Sequence, residues 1–157
     1  MRRLSLTLLA ALAAAGLVAR DLSRRRAVAE LVRAYFRAWE RGDAERLQSI
    51  VSDDYTGHVN ALAGIEERDR DELSAALAAH AQTFTRSAFT VEDLITDRDR
   101  VAARVRLRAT HGDDDRNVQT SGLVHLRIRD GRVVEEWASW DYLGLAGQLG
   151  VGITAEP

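Results

Sequence analysis

The chain has 157 residues, 46% hydrophobic and 29% charged, with a formal net charge of −2. This size and balance fit one soluble globular domain with a real core and exclude a disordered chain. The small net charge gives no pull toward nucleic acid, and the absence of cysteine excludes disulfides and thiolate metal sites.

Met1-Arg2-Arg3 is a basic head, followed by an apolar run from Leu4 to Ala19 with small residues clustered at Ala13 to Gly16. That is the layout of a secretory signal, although the run is shorter than the roughly 20 residues that span a bilayer. Residues 1–20 are therefore expected to be a signal peptide or an N-terminal anchor, and residues 21–157 a single domain. The expected location is outside the cytoplasm or tethered to a membrane by this segment, and cytoplasmic if the segment is not a signal. Arg20 and Arg24-Arg25-Arg26 are the opposing feature, because positive charge favours the cytoplasmic side.

Val28, Leu31, Val32, Tyr35 and Trp39 recur at helical spacing and predict an amphipathic helix from about Leu22 to Arg41, closed by Gly42. Asp43 caps a short second helix with Leu47, Ile50 and Val51 on its apolar side. Ser52-Asp53-Asp54 ends that helix, Tyr55 to Val59 reads as a strand, and Asn60 to Arg68 reads as a loop. Asp69 and Glu72 have capping-box spacing, so a third helix is expected to about Phe84, with Leu73, Ala76, Leu77, His80 and Phe84 as its buried stripe.

From Arg86 the period changes to two. Phe89, Val91, Asp93 and Ile95 alternate with Thr90, Glu92 and Leu94, and Val101, Ala103, Val105, Leu107 and Ala109 alternate with arginines. Gln119 to Arg129 and Arg132 to Tyr142 follow as strands about the hairpin turn Asp130-Gly131. Helices followed by consecutive hairpins predict an α+β fold, a curved antiparallel sheet wrapped around helices. On the last strand Val133, Glu135, Trp137, Ser139 and Asp141 share one side, and polar groups on an otherwise closed face suggest a pocket there.

Several motifs carry a resemblance. They are Tyr35-Phe36 through Trp39 with Gly42-Asp43, Asp54-Tyr55 with His58, Asp99 through Arg104, and Gly131 through Trp137 followed by Asp141 and Gln148-Leu149-Gly150. Together with the order of elements, they resemble the SnoaL-like polyketide cyclases (ester cyclases). These share the cone-shaped fold of nuclear transport factor two, scytalone dehydratase and ketosteroid isomerase. The resemblance implies a central cone cavity that holds a polycyclic ester, and no metal or organic cofactor. It also implies an aspartate on the last strand acting as acid/base in an intramolecular aldol ring closure, which by position falls on Asp141. Pairing of the sheet's outer face in relatives implies a homodimer.

Flanked by Trp137, Trp140 and Tyr142, Asp141 is expected to be partly desolvated, which raises a carboxyl pKa toward a general base's range. The alternative for Asp141 is a cap on the turn around Gly144. His58 and His125 are the candidate hydrogen-bond donors to a developing oxyanion, with Tyr55 and Asn60 close to His58 in the chain. Tyr35, Trp39, Phe84, Trp137 and Trp140 are expected as cavity walls or core, and together with Tyr55 and Asn60 they are the residues expected to bind substrate. No histidine spacing makes a metal site, and Glu135 and Asp141 stand about 20 Å apart along a strand, too far for a dyad. The leading expectation is a cofactor-independent cyclase, isomerase or lyase acting on a hydrophobic carbonyl compound, with Asp141 as base. The alternatives are a non-catalytic pocket for an apolar ligand and a dimerising scaffold. Apart from the N-terminal segment, no membrane contact is expected.

Overall fold

Helix α1 (Arg2–Arg41) runs as one rod of 40 residues in the computed structural model, which describes residues 2–151, with side chains from residue 14 onward. The start expected near Leu22 lies inside this longer helix, whose described side chains stay exposed as far as residue 27. From Val28 the predicted stripe faces the core, with Val32 and Tyr35 fully buried. Most of the expected leader lies outside the described side chains. Among the described residues no helix is long and apolar enough to cross a membrane.

Gly42 takes φ +63° and ends α1, as a glycine past a helix C-terminus can without strain. Asp43 then accepts the Arg46 backbone N–H and caps α2 (Ala44–Ile50), which buries Leu47 and Ile50. Strand β1 (Val51–Ala61) turns back into β2 (Gly64–Arg68), where the sequence pointed to a loop. Its residues Gly64, Ile65, Glu66 and Glu67 are all exposed, so no buried alternation marks it; it is a charged edge strand. Helix α3 (Arg70–Thr83) carries the expected capping box, Asp69 to the Asp71 and Glu72 N–H groups and Glu72 back to Asp69.

Strands β3 (Phe84–Asp97), β4 (Arg100–His111), β5 (Asn117–Arg129) and β6 (Arg132–Trp140) follow as antiparallel hairpins. The β5–β6 turn has Asp130 at φ +52° and Gly131 at +75°, the two positive angles a tight two-residue hairpin needs. A last helix, α4 (Tyr142–Leu149), closes the described chain. The six strands lie in the order β2-β1-β6-β5-β4-β3. The fold is α+β with a curved, unclosed sheet, and it differs from the all-antiparallel sheet expected in one pairing: β1 runs parallel to β6. The chain leaves β1, builds β2, α3 and three strands, and returns alongside it, a neighbour relation that no local pattern records.

Val101, Ala103, Val105 and Leu107 of β4 and Val118, Val124 and Leu126 of β5 are buried on the inner face, under the helices. Two register shifts decide which other side chains join them. One, between Val91 and Asp93, leaves Phe89 packed inward but Ile95 64% exposed, although simple alternation put them on one side. The other, opposite Arg127 and Ile128, precedes the inward-facing run of β6. There Glu136 and Ala138 are buried, whereas Glu135, Trp137 and Ser139 belong to the outer face. The polar side that suggested a pocket in the sequence is thus the outside of the sheet.

Candidate active site

Between the inner face of the sheet and helices α1, α3 and α4 lies a cavity of about 290 Å³. Its wall is largely apolar, with Phe36, Trp39, Leu73, Phe89, Leu107 and Trp140 among the lining residues. The ionisable groups that reach it are Glu136, Arg68, His80, Tyr35 and Tyr142.

Glu136 is the buried carboxylate, 6% exposed. Tyr35 of α1 donates its hydroxyl to Glu136 Oε2 at 2.7 Å, and Tyr55 of β1 donates to the same oxygen at 2.6 Å. Oε1 accepts no hydrogen bond from the described residues, so one carboxylate oxygen is anchored and the other remains for the cavity. Burial pushes the Glu136 carboxyl above its ordinary value, and the two phenols and the charge of Arg68 work against that shift. Burial and the nearby carboxylate push both tyrosines up in turn, so they stay protonated donors. The cluster needs Gly57, the β1 partner of Glu136, because a Cβ there would lie 2.6 Å from the Tyr55 hydroxyl oxygen.

At the wall formed by α3, His80 lies 2.9 Å from Ser87 Oγ through Nε2 and packs among the rings of Trp39, Phe84 and Phe89. Burial holds it below the ordinary imidazole value, which makes it a neutral group at neutral pH. Arg68, the last residue of β2, donates to Glu66 Oε2 at 2.7 Å and is among the residues lining the cavity.

Asp141 takes the second of the two places expected for it, the cap around Gly144, and not that of a desolvated base. It is the N-cap of α4, its Oδ1 accepting the Gly144 backbone N–H at 2.8 Å, and it is exposed to solvent rather than desolvated among aromatics. Gly144 is built around this cap, since a Cβ there would stand 2.3 Å from Oδ2. His58 and His125 are not in the cavity either. They flank Trp137 in one cross-strand row on the outer face, with His58 stacked on the indole at 4.0 Å between ring centres. Asn60 lies there too, within 3.5 Å of Ser139. These residues line a groove of about 610 Å³. Of the residues expected to bind substrate, Tyr35, Trp39 and Trp140 line the inner cavity, Tyr55 sits behind it on Glu136, and Phe84 packs beside His80. Trp137, like Asn60, faces outward.

Sequence reasoning missed Glu136 and Arg68. A signal for the first was available: adjacent glutamates on a strand point to opposite faces, so one of Glu135 and Glu136 had to face the core.

The family model described as SnoaL-like polyketide cyclase matches residues 29–149. The chain belongs to that family. SnoaL-like proteins are small-molecule enzymes of cyclase and isomerase type that take hydrophobic ligands, which agrees with a greasy cavity holding one carboxylate. Among solved structures the chain is similar to wild-type IdmH, a candidate polyketide cyclase from Streptomyces antibioticus, with 28% identity, 78% of this chain and 98% of that chain covered, and a TM-score of 0.70. AclR from Streptomyces galilaeus, a candidate hydroxylase, shares the fold at 22% identity, with 81% and 87% covered and a TM-score of 0.69. So does a protein of ketosteroid isomerase-like fold from Catenulispora acidiphila, determined with trimethylamine, at 17% identity, 82% and 98% covered and a TM-score of 0.71. No curated protein matches the chain.

Proposed function

We propose that this SnoaL-like chain is a cofactor-independent enzyme that removes a proton from carbon beside a carbonyl, as in aldol ring closure or isomerisation, with Glu136 as the base. The observation that carries this reading is the asymmetric hold on Glu136, with Oε2 fixed by two phenols and Oε1 left to the cavity. A buried carboxylate with a raised pKa is a stronger base than an exposed one and remains deprotonated above that value. The likeness to the candidate cyclase IdmH supports ring closure over other outcomes of the same proton transfer. The volume lies near the low end of the range usual for ligand sites, which favours a compact fused-ring carbonyl compound.

Asp141 is then a positioning residue that acts through α4, and Asn separates the two roles, because Asn caps a helix about as well as Asp but cannot take a proton. Turnover by Asp141→Asn should stay near wild type, Asp141→Ala should lose about 0.5–2 kcal/mol of stability, and Glu136→Gln should lose turnover while remaining folded. Product formation from aromatic β-ketoesters, followed by mass spectrometry beside thermal melts, measures all three. Loss of turnover in Asp141→Asn with retention in Glu136→Gln would return the base to Asp141.

The outer sheet face is proposed to pair in a homodimer, supported by Ile65, Leu123 and Trp137 exposed at 61%, 65% and 45% around one groove. The N-terminal segment is proposed to export or tether the protein, on the strength of its basic head and apolar run. Sequencing the mature N-terminus decides between a cleaved signal and a retained anchor.

A further inference from the structure

Proton removal by Glu136 creates an oxyanion, and the two histidines nominated as its partners lie on the other face of the sheet. We propose that Arg68, which lines the cavity together with Tyr142, is its oxyanion subsite and so sets both the reaction step and the substrate class, compounds whose carbonyl oxygen can reach it when the α-carbon faces Glu136 Oε1. This rests on the Glu136 reading above.

Arg68 is the one Lys or Arg among the lining residues of the cavity. Its backbone is fixed at the end of β2 opposite Gly57, the residue that also pairs with Glu136 across β1 and β6, so all three share one row of the sheet. Its side chain is held by Glu66, which uses one of the five N–H donors of the guanidinium. Glu136, Tyr142 and Arg68 all line the cavity, and the Arg68 charge favours the ionised form of the other two. Tyr142 is set there by α4, as the first residue after the Asp141 cap.

The step balances without a co-reactant. The C–H bond breaks, its proton goes to Glu136 Oε1, its electron pair forms the enolate double bond, and the carbonyl π pair moves onto oxygen. In ring closure the enolate carbon then attacks a second carbonyl, and that oxygen takes the proton back from Glu136. Throughout, one negative charge moves from carboxylate to substrate oxygen beside the same fixed cation, so little reorganisation is needed.

The test uses 2-naphthol, a compact bicyclic probe whose ionised form carries charge on an oxygen conjugated to the ring, as an enolate does. Quenching of Trp39 and Trp140 reports binding, and naphtholate absorbance reports ionisation. Glu136→Gln stands in for the base after it has taken the proton. In that variant, bound 2-naphthol should ionise at lower pH than free 2-naphthol. Adding Arg68→Gln should cost about tenfold or more in naphtholate affinity with little change for neutral naphthol. Arg68→Lys, which keeps the charge and loses the fork, should recover part of it. Equal naphtholate affinity with and without Arg68, or ionisation of the bound probe at the pH of the free one, would overturn the subsite while leaving Glu136 standing. If 2-naphthol quenches no tryptophan in wild type or Glu136→Gln, the cavity reading falls and the subsite with it. Should Arg68→Gln not fold, Glu66→Gln tests the subsite from the other side. Releasing Arg68 from the Glu66 carboxylate should lower the ionisation pH of the probe further, and an unchanged value would overturn the proposal.

Discussion

Glu136 titrates above its ordinary value of 4.5 because it is buried, and the sign of that shift fixes how stability should respond to pH. Ionising it costs more in the folded chain than in the unfolded one. Its contribution is therefore fully present below about 4.5 and is lost as pH rises through the raised value. Glu136→Gln removes the charge and keeps an acceptor for both phenols. Its melting temperature should gain on wild type as pH rises from about 4.5 through the raised value, and the difference should level off above it. A constant difference would mean that Glu136 is not an ionised, desolvated group. Tyr35→Phe takes away one of two donors that favour the charged form, so it should move the acid limb of the activity profile to higher pH, at a cost of about 1–3 kcal/mol in stability. Residue identity is partly legible in the sequence: the helical spacing of Tyr35 and Trp39 and the place of Trp140 on the last strand point to the cavity wall, and all three line it. Glu136 is not legible in this way, because the residues of β6 that draw attention, Glu135, Trp137 and Ser139, have the opposite parity. Parity on a strand is easy to count and hard to assign to a face until its neighbours are known.

Among the elements, those with a strong period or a specific cap were readable. The packed part of α1, the Asp43 and Asp69 caps and the β4 alternation correspond to the structure because each depends on residues near in sequence. The elements missed have no such signal. β2 is a charged edge with four exposed residues, and α4 is short, with two glycines and no fully buried residue. The parallel contact of β1 with β6 depends on residues far apart in the chain. That contact is what makes Gly57 indispensable. Gly57→Ala would drive a methyl into the Tyr55 hydroxyl, displacing it from Glu136. The expected result is a folded but weakened protein whose activity falls by about tenfold or more, since a charge-assisted hydrogen bond is lost. Glycine's replacement by serine should be no better, and a fully active Gly57→Ala would show that Tyr55 does not matter to the base.

For the whole molecule, the division of the sheet into an inner face that lines the cavity and a partly apolar outer one gives two surfaces with separate roles. If the outer groove pairs with a second copy, Trp137→Lys should yield monomers in light scattering while the isolated cavity still binds 2-naphthol. A wild-type protein that is monomeric at micromolar concentration would remove the dimer. The inner site has a different dependence on the chain. Tyr35 and Tyr55 reach Glu136 across 101 and 81 residues of sequence. Closing loops of that length is slow, and nothing local rewards it in advance. During synthesis α1 and β1 leave the ribosome long before β6, and their two phenols have no acceptor until the last strand docks. The base is thus assembled only when the sheet is complete, and a chain stalled before residue 136 would present a half-built, greasy bowl to the cell rather than a slow enzyme.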